Sequence, residues 1–341
     1  MEKKYDATHY IIMYLTGYAF FTYQVYSQLL FAFHGLSLII PFCIAFLLMP
    51  LVIFYISKKI NNQAKFEIKT NFVYTILTII YLLLLAVITL NYASVMIHNY
   101  YYQSIQSYII AFFLLIPIFY ITIKDSRVYY SLAIILFFVY VFYKFLYISN
   151  HEVIDLYPLY NVLFIDKPWL IIILALTLVL EPIILLSNME FIDKKKKVNT
   201  KFVLVIAIII ALLGCYTLIR EAMEFGLLIN TISFPYFESC KFLSIKSNFD
   251  SIDYFYLFSI TIALFSRLPM LYLMLKDNLK LKNKGITTAF ILTLIVFYYL
   301  HQRLEFYRTI IIPILMICVG ILITLTIMSV FVKRRNKNDS F

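Results

Sequence analysis

Charge, glycine and tryptophan are all scarce in this sequence. Charged residues make up 14% of 341 residues against 63% hydrophobic, and there are only six Gly and one Trp. So few polar residues cannot cover the surface of a water-soluble chain of this length. With so little glycine there is no Gly-rich loop of the kind that cradles phosphates. The four cysteines are too scattered for a disulfide framework or a metal-ligand spacing. Cys43, Cys215 and Cys318 fall inside apolar runs and read as packing residues, while Cys240 stands alone in a connecting segment. Acid is scarcer than base, with 18 Asp and Glu against 29 Lys and Arg and a formal net charge of +11.

What the chain has in abundance is long apolar runs. Crossing a hydrocarbon layer of about 30 Å takes roughly 20 helical residues. Ten runs of about that length lie near 10–33, 37–57, 73–96, 107–123, 129–148, 168–190, 202–219, 254–275, 286–300 and 309–332. The expected fold class is therefore an all-α polytopic membrane protein of about ten transmembrane helices, a single domain over 1–341. The first run is too long for the apolar part of a signal peptide and no small-residue cleavage site follows it, so it is expected to remain as a span.

Most Lys and Arg fall at the N-terminus, in 58–69, 124–127, 194–201 and 276–284, and in the C-terminal tail. The alternate connections hold only Lys144, Lys167, Arg220, Lys241, Lys246, Arg303 and Arg308, with Arg267 inside a span. This bias places both termini in the cytoplasm, which an even number of spans requires. The clusters "DKKKK" and "KRRNK" suit anionic lipid headgroups, so the positive charge calls for no nucleic acid partner. Trp169 opens the sixth span just after Lys167 and Pro168, where an interfacial aromatic belongs. Two outer segments are long, about 149–167 and 220–253. The second is amphipathic, rich in Phe, Leu and Ile, and reads as a cap lying on the protein or in the interface.

Ionisable residues at membrane depth are costly and normally face the bundle interior. Glu181 and Arg267 each lie about 20 Å inward from the outer end of their spans, so equal depth allows them to meet. They form a candidate gating pair; the alternative is that each is satisfied separately, by backbone freed at Pro182 and Pro269 or by water. Pro182 removes a backbone donor beside Glu181, and broken helix at this depth either lines a cavity or is a plain kink. The first span carries a further polar patch, with Thr16, Tyr23 and Ser27 on one face, Gln24 and Gln28 beside them, and Gly17 as a flexible point. Enzyme chemistry finds no support. His9, His34, His98, His151 and His301 all lie at or beyond span ends. Glu152, Asp155 and His151 are the only cluster a membrane-bound transferase could use, and no motif accompanies them.

From Gly226 to Leu273, "GLLINTISFPYFESCKFLSIKSNFDSIDYFYLFSITIALFSRLPMLYL" resembles the B subunit of spore nutrient germinant receptors, the endospore germination permease family. That family lies within the amino acid, polyamine and organocation superfamily of permeases. The resemblance rests on Phe234 and Pro235 followed by Glu238, on "KFLSI", on "FDSIDYFYLF" with Asp253, and on Arg267 followed by Pro and a Leu-Tyr-Leu run. "LEPIILLSNMEFIDKKKK" is similar to the family's sixth span. The motifs are strongest from about 170 to 280. Before that the chain departs from the pattern, with "GYAFFTYQ" in place of a Gly-rich break in the first span and "YYYQSIQSY" in place of a Pro-containing connection after the third.

The resemblance implies two inverted five-helix repeats of the amino acid permease and leucine transporter kind, over about 10–148 and 168–332, with the first and sixth helices broken around a central site. Its implied lining is Thr16 and Gly17, then Tyr81 in the third helix, Leu180, Glu181 and Pro182 in the sixth, and Ser259, Thr261 and Phe265 in the eighth. Phe234, Pro235 and Glu238 then belong to an outer lid. The function it implies is sensing a small nutrient, an amino acid above all, at the inner membrane of a dormant spore, together with an A subunit and a lipoprotein C subunit. Neither a cofactor nor a metal is implied. A working permease for an amino acid or polyamine, coupled to H⁺ or Na⁺, would use the same fold.

Overall fold

The structure is a computed structural model and describes residues 6–21, 39–61, 72–124, 126–149, 197–226, 228, 238, 253–279, 283–300, 317 and 321. All regular structure among them is helical. The helices are α1 (Ala7–Phe21), α2 (Ile39–Asn61), α3 (Phe72–Tyr100), α4 (Ser107–Ile123), α5 (Ser126–Ser131), α6 (Ala133–Ser149), α7 (Thr200–Phe225), α8 (Asp253–Leu279) and α9 (Asn283–Leu300). The sixth span, the outer segment 149–167 and most of the tenth span lie outside the described residues.

Helix is what such sequence must form where water is absent, because every backbone N–H and C=O has to be satisfied within its own segment. Polar side chains obey the same rule. Thr16, Ser57, Thr89, Thr122, Thr217, Thr261 and Thr293 each donate the hydroxyl to the carbonyl four residues earlier, at 2.7–2.9 Å. The prolines Pro50, Pro117 and Pro269 lie inside α2, α4 and α8. Among the described residues, two helices, Thr75–Tyr100 and Thr200–Phe225, are long and apolar enough to cross a membrane by length and composition. At 1.5 Å per residue the 26 residues of α7 reach about 39 Å.

The ends of the helices gather on two sides. On one side Asn61 closes α2 onto the start of α7: its amide accepts from Val198 N at 2.7 Å and donates to Val198 O at 3.0 Å. Asn199 caps α7 by accepting from Phe202 N at 3.2 Å. On the same side Lys276, in the last turn of α8, donates to Thr122 O at the end of α4, where a cation suits the exposed carbonyls. On the other side lie Tyr100, Ser107, Ser149, Phe225 and Leu300. The described helices run between these Asn61 and Tyr100 sides.

α8 is the centre of the packing, lying against α1, α3, α4, α6 and α9. α1 packs on α8, α6 and α7, and α2 runs along α7. At that last crossing a Cβ on Gly214 would stand 3.3 Å from the Phe46 ring, and the Cys215 thiol points at Cys43 O, 3.7 Å away. The surface is apolar where a soluble protein would be polar. On α6, Ile135, Phe138, Phe142 and Phe145 form one helical stripe, each about 60% exposed, while Lys144 among them is 1% exposed. Apolar stripes outside and charges inside are the arrangement a bilayer selects.

Two sequence expectations are corrected here. Arg220 does not begin an outer loop. α7 continues to Phe225, and Arg220 and Glu221 are buried at 4% and 1% exposure, Arg220 pairing at i,i+4 with the exposed Glu224. The connection therefore starts at Gly226, which ends α7 with a positive φ of 50°. Lys144 is likewise no loop cation, but a buried residue within α6.

Candidate ligand site and gate

The backbones of α1 and α8 approach closely at Gly17. A Cβ built on Gly17 would stand 3.0 Å from both C and O of Ser266 and 3.1 Å from Cα of Arg267. Only hydrogen fits there, so the two helices cross in backbone contact. Gly17 lies about 15 Å from the Asn61 side and Arg267 about 18 Å, counted along their helices at 1.5 Å per residue. The crossing is thus at mid-depth. Arg267 is 1% exposed, the largest side chain so fully enclosed among the described residues. Two residues further on, Pro269 has no N–H to offer Phe265 O, which loosens the helix at this level.

Tyrosines surround the crossing. Tyr10, Tyr14 and Tyr18 recur every fourth residue on one face of α1, all buried, with the Tyr14 and Tyr18 rings 5.5 Å apart. Tyr10 meets Tyr130 of α5 at 5.2 Å, and Tyr130 meets its neighbour Tyr129 at the same distance. The Tyr129 hydroxyl donates to Ser266 O at 2.6 Å and is close enough to Arg267 to feel its charge. Tyr130 reaches Met270 Sδ at 3.7 Å. Tyr129, bonded to the backbone of the residue before Arg267, thus brings a phenol to the neighbourhood of its guanidinium.

Of the expected lining residues, Gly17 lies at this crossing, with Thr16 next to it in α1, and Arg267 of the expected gating pair stands against Gly17. Thr16 is buried and spends its hydroxyl on Ile12 O at 2.9 Å. Thr261 is half-buried one turn before Phe265, its hydroxyl on Leu257 O at 2.9 Å. Tyr81 is fully buried on α3, which packs along α8. Ser259 lies in α8, with its side chain outside the described residues. Leu180, Glu181, Pro182, Phe234 and Pro235 also lie outside them, and so does the expected pairing of Glu181 with Arg267. Of the expected lid, Glu238 is described, and it accepts a hydrogen bond from the Tyr100 hydroxyl at 2.8 Å. That bond ties the 226–252 connection to the end of α3.

Tyr129 and Tyr130 were missed from sequence. "RVYYS" reads as the interfacial start of the fifth span, whereas both rings are buried in the short helix α5 that precedes the turn at Leu132. The every-fourth spacing of Tyr10, Tyr14 and Tyr18 was the legible signal, since three phenols on one face of an apolar helix mark an interior side. Among the described residues no three His, Cys, Asp or Glu side chains gather in a way that could hold a metal.

No family model matches the sequence, and no curated protein matches it. Among solved structures the chain is similar to a manganese transporter of Eremococcus coleocola, solved in complex with an aromatic bis-isothiourea substituted compound. That likeness has 14% identical residues and a TM-score of 0.42, over 94% of this chain and 71% of that one. A TM-score below one half establishes neither a shared fold nor a shared cargo.

Proposed function

We propose that this chain is the membrane subunit of a spore germinant receptor, sensing a small nutrient such as an amino acid. In this reading both termini face the cytoplasm, the chain sits in the spore inner membrane, and an A subunit and a lipoprotein C subunit act with it. The observation that supports it best is the buried Arg267 at the point where α1 and α8 touch through Gly17. A charge enclosed at a backbone crossing makes the position of one helix sensitive to what stands beside the other. A ligand that binds better to one arrangement than to the other shifts their populations, and no covalent step is needed. Glu181 and Pro182 of the sixth span would complete the site, with Glu181 and Arg267 biasing its state. The connection holding Glu238 would cover it.

The test is nutrient-triggered germination of spores carrying Arg267→Gln or Glu181→Gln, with the protein level in the inner membrane checked. At normal level, a shift of about tenfold or more in the nutrient concentration required places the residue in the ligand or gating site, a coupling of the usual size. An unchanged dose response for both variants overturns the reading. Labelled amino acid uptake by the purified chain in proteoliposomes decides the other use of such a fold, a permease coupled to H⁺ or Na⁺. Uptake that needs an ion gradient would replace the sensor by the permease.

A further inference from the structure

A second set of charges lies away from this site, near the Tyr100 ends of α6 and α7. Lys144 is 1% exposed although Phe142 and Phe145 beside it face outward at 61% and 64%. Its Nζ stands 3.5 Å from Thr217 Oγ1 of α7 and 6.0 Å from the centre of the Tyr140 ring. The direction of that contact is determined by chemistry. The Thr217 hydroxyl gives its only hydrogen to Leu213 O at 2.9 Å, so its lone pairs are what the ammonium meets. One turn on, Glu221 lies on the same face of α7 at 1% exposure, and Arg220 is paired with Glu224 at 3.2 Å.

α6 and α7 do not pack along each other in the described residues; each packs on α1 instead. Lys144 therefore reaches from one neighbour of α1 to the other. A displacement of α1 about Gly17 would change the distance that this side chain spans. The contact is at the long limit for a hydrogen bond, and so it can be broken without dismantling the bundle. Both of its ends are enclosed, which makes it worth more than the same contact in water.

We infer that Lys144 is a latch: its ammonium on Thr217 holds the Tyr100 ends of α6 and α7 together and favours the state closed on that side. This deepens the two-state reading above and rests on it, naming the element that regulates the same site. Releasing the latch leaves the Arg267 site intact and makes the closed state rarer.

The experiment uses the full chain in proteoliposomes with Cys43, Cys215, Cys240 and Cys318 replaced by Ala. The reporter is Ala222→Cys, at a position fully buried beside Glu221. A membrane-impermeant maleimide then reads how often that end opens. Lys144→Met and Thr217→Val are each expected to speed labelling by about tenfold, the size of one charge-assisted hydrogen bond. The double variant should be no faster than Lys144→Met alone, because the lysine variant already removes the contact with Thr217. Lys144→Arg should stay within about twofold of the parent, as it keeps a cation on the hydroxyl. An unchanged rate in Lys144→Met overturns the latch. So does a normal rate in Thr217→Val, which is nearly isosteric and keeps the fold even if the lysine variant does not. Labelling needs no nutrient, so a chain that answers no ligand still reports the latch, and failure of the sensor reading is seen separately in spores.

Discussion

Gly17 and Gly214 occupy the same kind of place, a helix crossing, yet a methyl group meets different things at each. At Gly17 it meets the backbone of Ser266 and Arg267 at 3.0–3.1 Å, and a helix backbone cannot give way alone. At Gly214 it meets the edge of the Phe46 ring at 3.3 Å, which a small ring rotation relieves. Alanine also gains about 1 kcal/mol of helix propensity over glycine, so the two effects compete. We expect Gly17→Ala to destabilise by about 1–3 kcal/mol, as overpacked sites do, and to depress the nutrient response. Gly214→Ala should be near neutral or slightly stabilising. Thermal melting of the two variants in one detergent checks the contrast, and equal melting points would refute it.

At the scale of elements, the boundaries mattered more than the spans. The described bodies of the expected helices are found close to where hydropathy places them. The ends differ, because ends are decided by side-chain pairing that hydropathy does not register. α7 outruns its apolar stretch by carrying Arg220, Glu221 and Glu224 into the helix, and the fifth span splits at Leu132 into α5 and α6. Tyr129, which bonds Ser266 O, lies in the short helix before the split. The far end of α3 shows a further case, where the Tyr100 hydroxyl holds Glu238 at 2.8 Å. A hydrogen bond to a carboxylate contributes about 1.5–3 kcal/mol, so its loss should free the connection after α7. Tyr100→Phe is expected to raise the rate of proteolysis within 226–252 by about tenfold in intact vesicles, and an unaltered cleavage rate would show that Glu238 is held by other contacts.

For the molecule as a whole, the exposed stripes of α4, α6, α7 and α9 mean that this chain is ordered by the apolar medium around it. A direct check is Phe138→Lys on α6, at a position 59% exposed. In water such a substitution would be close to neutral or helpful. In a bilayer it costs about 2.5–3.5 kcal/mol near the helix centre. Reduced membrane insertion, with Phe46→Leu as a buried hydrophobic control that inserts normally, is the expected outcome.

The sequence by itself determined the medium and the class of architecture. Mean hydropathy, run length and the placing of basic residues are properties of chain segments, and each segment meets the lipid or the water on its own terms. It also determined that Arg267 would be inside, since a cation in a span has nowhere else to go. Which residues would meet that arginine was decided only by the tertiary structure. Depth along a helix supplies one coordinate, while rotation about the axis and the choice of neighbouring helix depend on packing. Gly17 against Ser266, Tyr129 on Ser266 O, and Lys144 reaching past α1 to Thr217 are all contacts between residues more than 70 positions apart, and no local pattern carries them.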